Sequence, residues 1–258
     1  NLRGICLGPA ESRRRSFRAC RAVSKNRNRN QATVSSSEAA ASGEVIRTRK
    51  HYDPEGHRRD LRYPEVPEPL EVGTYDNHTH LEIADGDNPL TVAEQLDLAK
   101  RAGMLGAVQV GVTLDSSIWS AQVAEHEPML LAAVAIHPNE APRFESRVQL
   151  DEAITKIAEL AKQPRVRAVG ETGLDFFRTE GEDALDLQLH SFEEHIQIAK
   201  ENNIKLSAEN VAPVVTSDAL LHYKYVDYPS GEFWLKSPTH DKPFDMVDAI
   251  SGGHIYGK

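Results

Sequence analysis

The sequence predicts an α/β fold of TIM-barrel-like (β/α) type, comprising the first four to five β/α units of such a barrel behind a disordered N-terminal arm. Three observations predict it. Short apolar runs alternate with longer segments of helical period. The apolar runs are nearly continuous, as expected of parallel strands buried on both faces. An eight-stranded barrel needs about 250 residues, more than lie between Glu71, where the folded body is expected to begin, and Lys258.

The units follow in order. Thr74 to His78 reads as a first strand, and Thr91 to Ala102 as a helix with Val92, Leu96 and Ala99 on one face, closed by Gly103. Gly106 to Val112 is a second strand, followed by a helix over Asp115 to Glu125 with Asp115 as its cap. Met129 to Ile136 is the most apolar run and reads as a strand covered on both faces. A third helix spans Leu150 to Lys162, a fourth strand Val166 to Gly170, and a fourth helix Ala184 to Lys200, where Phe192, His195, Ile196 and Ala199 recur at helical spacing. Ile204 to Ala208 is a fifth strand. Beyond Leu206 the rhythm fails, and Lys224 to Pro238 alternates aromatic and polar residues between turn signals, like a hairpin.

This divides the chain into a disordered basic and Pro-rich extension over residues 1–70, a β/α body over 71–206 and a divergent tail over 207–258. The stretch Asn26 to Val45 is polar and small, with too little apolar surface to offset the entropy of ordering. Arg58 to Pro69 is rich in proline and reads as an extended linker. The net charge is -9, yet residues 1–30 hold about nine Lys and Arg, with Arg13, Arg14, Arg15, Arg18 and Arg21 among them, against one acid, Glu11. A basic arm thus precedes an acidic body. The arm fits a disordered tail, with an organellar transit peptide as the alternative. Cys6 and Cys20 both lie in it, which excludes a disulfide scaffold for the body and makes a cytoplasmic protein the expectation. No apolar run approaches the ~18 residues of a membrane span.

In parallel α/β folds chemistry collects where strands end and loops begin. The polar residues at those ends are Asp76, His78 and His80 after the first strand, His137 after the third, and Glu171 and Asp175 after the fourth. Residues i and i+2 of a strand point the same way, so His78 and His80 face one side, where two neutral imidazoles can hold a divalent cation. Ordinary polar packing is the alternative for such a pair taken alone. Glu171 ends an apolar strand just after Gly170 and can offer a carboxylate to one or two ions, where most glutamates are solvated loop acids. His137 either caps a loop or contacts an anionic substrate. Asp175 either orients a ligand from behind or caps the following turn. His195, Trp119 and Trp234 read as packing. There is no Gly-rich phosphate loop, G-x-S-x-G elbow or C-x-x-C pair, so nucleophilic Ser or Cys catalysis has no support.

Three motifs, D-N-H-T-H (Asp76 to His80), I-H-P-N-E (Ile136 to Glu140) and G-E-T-G-L-D-F-F (Gly170 to Phe177), closely resemble the TatD family of metal-dependent deoxyribonucleases and related hydrolases. Three ordered motifs are far more specific than any one. The resemblance implies an amidohydrolase-type β/α barrel that hydrolyses phosphodiester bonds of DNA in the manner of a 3'-5' exonuclease. Its cofactors would be divalent ions, Mg or Mn with Zn as an alternative, two in a complete site. His78 and His80 would bind the first ion, Glu171 would bridge both, and His137 and Asp175 would join Glu171 as catalytic residues. DNA would be the substrate, with no membrane and no obligate protein partner.

The sequence departs from the family after the fifth strand. Glu209 falls where the family has a histidine, and the later histidine- and aspartate-bearing motifs are not found; His222, His240, Asp241 and His254 stand in other contexts. A frameshift, a chimeric gene or a truncation would produce this pattern. The alternatives to an active nuclease are a catalytically impaired remnant with two open sheet edges, a related barrel hydrolase of another ester or amide, and a DNA-binding module acting through the basic arm.

Overall fold

A computed structural model of the chain describes residues 36–53, 55–176, 178–205, 207–211 and 227–232. The basic arm lies outside them. The described body is the α/β arrangement expected, with parallel strands alternating with helices.

Four strands build one sheet: β2 (Thr74–Thr79), β4 (Met104–Val110), β5 (Leu130–Val134) and β6 (Val166–Val169). Their order in the sheet is their order along the chain, and all three pairings are parallel. Each new strand therefore adds on the same side, as in a singly wound TIM-barrel-like arrangement, without the reversal of a doubly wound sheet. The crossovers are the helices α2 (Val92–Arg101), α3 (Leu114–His126) and α4 (Arg147–Leu160), and α5 (Glu182–Glu201) follows β6.

Local chemistry starts and stops these helices. Thr91 and Glu94 form a reciprocal capping box at α2, whose end is turned by Gly103 at φ +93°. Thr113, not Asp115, caps α3, so that helix begins one residue before the expected start. Ser146 caps α4. β5 carries the core: Leu130, Ala132, Ala133 and Val134 are buried, and Ile136 continues the run just beyond the strand. Trp119 of α3 and Leu150 and Ile157 of α4 close over this sheet in one apolar cluster. Each large side chain so buried contributes about 1.5–3 kcal/mol.

The N-terminal extension differs from expectation. Residues expected to be disordered form α1 (Ser36–Ser42) and β1 (Arg47–Arg49). Ala39 and Ala40 of α1 are buried in the same cluster as Trp119, whose indole N–H donates to the Glu44 carbonyl at 3.1 Å. β1 pairs in parallel with β3 (Ile83–Asp85), a short strand just after β2. Small residues let α1 approach α3 closely, and that contact takes the place of the apolar period that a sequence reading looks for.

In the tail, β7 (Ser207–Val211) pairs in parallel with β8 (Tyr228–Glu232). The rest of the segment expected as a hairpin, 224–226 and 233–238, lies outside the described residues. Among the described residues β7 pairs with β8 and not with β6. No helix among the described residues is long and apolar enough to cross a membrane.

One close approach is decisive for the packing. Gly111 follows β4, and a Cβ there would lie 2.5 Å from the Ser117 Cα and 2.7 Å from its backbone nitrogen. Ser117 in turn zips α3 to the end of β5, accepting from the Ala135 N–H at 3.1 Å and donating to the Ala135 carbonyl at 2.9 Å. Gly111→Ala is expected to destabilise the fold by about 1–3 kcal/mol through overpacking, read as a lower urea midpoint at unchanged m-value.

Candidate metal centre

The sheet brings four of the expected residues to one place. β2 and β4 are out of step between Asp76 and Thr79, where three steps along β2 match two along β4. Such a bulge bends the strand and re-aims its side chains. Asp76 braces it, its carboxylate accepting from the His78 N–H at 2.9 Å. Beyond the bulge the His78 and His80 rings meet edge to face with centroids 5.1 Å apart, and their Nε2 atoms are 3.2 Å apart. Glu171, on the loop after β6, places one carboxylate oxygen 3.7 Å from His78 Nε2 and the other 3.7 Å from Nε2 of His137. Ligand atoms of His78, His80 and Glu171 all lie within 4.8 Å of one another.

Hydrogen-bond partners decide which ring nitrogens are bare. His80 Nδ1 lies 3.0 Å from the Val110 carbonyl and 3.5 Å from Oε1 of Glu82. Both are acceptors, so Nδ1 carries the proton and Nε2 keeps its lone pair. His137 is the reverse: the Asn139 backbone N–H donates to its Nδ1 at 3.0 Å, so its Nε2 carries the proton. The neutral His80 ring therefore offers a ligand atom, and the neutral His137 ring offers a hydrogen-bond donor.

Electrostatics follow from these neighbours. The His137 N–H beside Glu171 holds its carboxyl below the usual range against the opposing effect of burial, with electrostatic attraction to the His137, His78 and His80 imidazoles adding to it. Burial pushes the Glu82 carboxyl up, but hydrogen bonds from His80, Gln109 and Arg47 outweigh it and leave the group lowered. The Glu82 carboxylate raises His80 in turn, against desolvation. The donor set of two imidazoles and a carboxylate fits a divalent ion.

Asp175 stands apart from that convergent group. Its carboxylate accepts from the Arg178 N–H at 2.9 Å and the Asn139 amide at 2.9 Å, and Arg178 also reaches it at 3.1 Å. It caps a turn and ties the loop after β6 to the loop that carries His137. Those contacts match the turn cap and the brace from behind that the sequence also allowed for this residue. The side chain of Glu209, and His222, His240, Asp241, His254 and Trp234, lie outside the described residues.

Several supporting residues escaped the sequence reading. Glu82 is fully buried, and Gln109 of β4 donates to its Oε2 at 2.7 Å while accepting from the Leu81 N–H at 2.7 Å. Extending the i, i+2 rule from His78 and His80 to the next position would have found Glu82. His195 is also fully buried: its Nε2 accepts from the Ile136 N–H at 3.0 Å and its Nδ1 donates to the Ser191 carbonyl at 2.5 Å. It holds the backbone next to His137.

Residues 75–208, just over half of the chain, match the TatD related DNase family. The chain belongs to that family. A Mycobacterium tuberculosis protein named as an uncharacterized metal-dependent hydrolase TatD is 34% identical over 138 residues, covering 52% of this chain and 50% of that protein. A Citrobacter rodentium protein named 3'-5' ssDNA/RNA exonuclease TatD is 35% identical over 103 residues, covering 40% of this chain and 36% of its own length. The chain spans half the length, or less, of these relatives. A solved TatD homologue from Escherichia coli K12 aligns with a TM-score of 0.46 at 20% identity, covering 70% of this chain and 65% of that one.

His195 yields a pH prediction. Burial holds its pKa down, so the folded chain keeps it neutral while the unfolded chain protonates it near the ordinary value of about 6.5. Between those two pKa values the unfolded state binds more protons. Stability is therefore fully present above about pH 6.5 and is lost as pH falls towards the folded pKa. The urea midpoint is expected to drop from pH 8 to pH 5, and to drop less steeply in His195→Asn, which has no imidazole to protonate.

Proposed function

We propose that the chain is the part of a metal-dependent phosphodiesterase that carries the first ion site, and that its substrate is single-stranded DNA cleaved from the 3' end. The observation that carries this reading is the convergence of His78, His80 and Glu171 within 4.8 Å, with the His80 tautomer set so that Nε2 is bare. The names of relatives, among them 3'-5' ssDNA/RNA exonucleases, favour a single-stranded nucleic acid as the substrate class. A bound divalent ion would supply Lewis acidity and a water of lowered pKa.

The residues of this chain do the rest. His78 and His80 would hold the ion through Nε2, and His78 must give up any Nε2 proton to do so. Glu171 would hold it alongside them, and as a carboxylate it has the capacity to serve a second ion as well. His137, protonated at Nε2, would donate to a phosphate oxygen and help to orient it. Asp175 and Asn139 would keep the His137 loop in register with Glu171.

Activity on a 3'-labelled single-stranded oligonucleotide is expected in Mn²⁺ and to vanish with a chelator. Glu171→Ala should lower the rate on the order of a thousandfold, the several kcal/mol that ion stabilisation is worth. Equal rates in parent and variant would overturn the reading. His137→Ala should instead cost roughly a hundredfold in kcat with Mn²⁺ affinity by calorimetry unchanged, because its Nε2 is a donor and not a ligand.

A further inference from the structure

Behind the two histidines lies a buried carboxylate whose described hydrogen-bond partners within the family-matched residues are neutral once His80 ligates. The Glu82 carboxylate is fully buried, and both of its oxygens are engaged. Oε2 takes the Gln109 amide N–H at 2.7 Å. Oε1 is shared by the Arg47 guanidinium at 2.5 Å and the His80 Nδ1 at 3.5 Å. Gln109 is neutral, and His80 must be neutral to ligate. Arg47 is the full positive charge on this carboxylate among its described hydrogen-bond partners.

Arg47 also grips Glu82 through the main chain, since its backbone N–H donates to the Glu82 carbonyl at 2.9 Å. It lies on β1, which pairs with β3 next to the site. β1 precedes the family-matched residues 75–208. A buried carboxylate left without its cation is strongly disfavoured and moves towards water. Carboxylates that accept from a ligating imidazole set its ring orientation and donor strength.

We propose that Arg47 is a positioning residue for the candidate metal centre: it holds Glu82 in place as the second acceptor, beside the Val110 carbonyl, for His80 Nδ1–H, so that Nε2 stays bare and aimed at His78. The use of that aimed Nε2 as a ligand rests on the function proposed above. The N-terminal segment 36–49 is in this way part of the site's support, and its helix α1, anchored on Trp119, sets the position of Arg47.

Two measurements on the full chain at pH 8 test this. The first, needing no metal, is the ¹⁵N imidazole spectrum of the metal-free protein, with the His80 signals identified by their loss in His80→Gln. The parent should show His80 locked as the Nδ1–H tautomer; Arg47→Met should shift it towards a tautomer mixture, and Arg47→Lys, which keeps the charge, should hold the parent form. The second is Mn²⁺ affinity by calorimetry, which should fall by about tenfold to a hundredfold in Arg47→Met and recover in Arg47→Lys.

A double-mutant cycle keeps the idea testable if Arg47→Met folds poorly. In Glu82→Gln no buried charge remains, so adding Arg47→Met should change neither readout further. A parent-like spectrum in folded Arg47→Met overturns the proposal, as does an equal second loss in the Glu82→Gln background. If the parent binds no Mn²⁺ yet its His80 tautomer depends on Arg47, the proposed function fails while the role of Arg47 stands.

Discussion

A carboxylate buried beneath two histidines constrains more of this molecule than its size suggests. Glu82 has no contact with water, so each lone pair must find a donor inside the protein. Gln109 comes from β4, Arg47 from β1 and His80 from the end of β2, so one side chain ties together three separate elements. Gln109 is itself buried and also donates to Ser120 of α3 at 3.1 Å, which extends the network to the helix layer. Breaking such a network at one point leaves the remaining groups unpaired in a low dielectric, and this makes it specify one arrangement.

The candidate metal centre gains its order from that network and its openness from the sheet. His80 is held from behind by a carbonyl and a carboxylate, whereas His78 and Glu171 remain part-exposed at the mouth. A rigid back and an accessible front are what a hydrolytic site needs, because the ligands must be fixed while water and substrate enter. The strand beside it is supported in the same manner. His195 of α5 accepts the Ile136 N–H, and Ser117 of α3 takes the adjoining Ala135 N–H and carbonyl, so both helices fasten the segment that delivers His137.

Much of the β/α body was legible. Continuous apolar runs mark strands covered on both faces, and the i, i+3, i+4 spacing marks α2, α4 and α5, because both periods follow from backbone geometry alone. The positions of His78, His80, His137 and Glu171 at strand ends could be read for the same reason. α1 could not: a seven-residue helix of small residues has no apolar stripe, and its stability comes from Trp119, far along the chain. The role of Arg47 was hidden likewise, since nothing near it in sequence announces a buried acid.

By itself, then, the sequence determined the alternation of strand and helix, the family, and the residue types able to bind a divalent ion, all of which depend on local order and spacing. Tertiary structure alone decided that His80 offers Nε2 while His137 offers a proton, that Asp175 braces a loop instead of joining the ligands, and that residues 36–49 belong to the folded body. Those outcomes turn on which acceptor or donor lies within about 3 Å, and the groups concerned are brought together by the parallel crossovers, not by proximity along the chain.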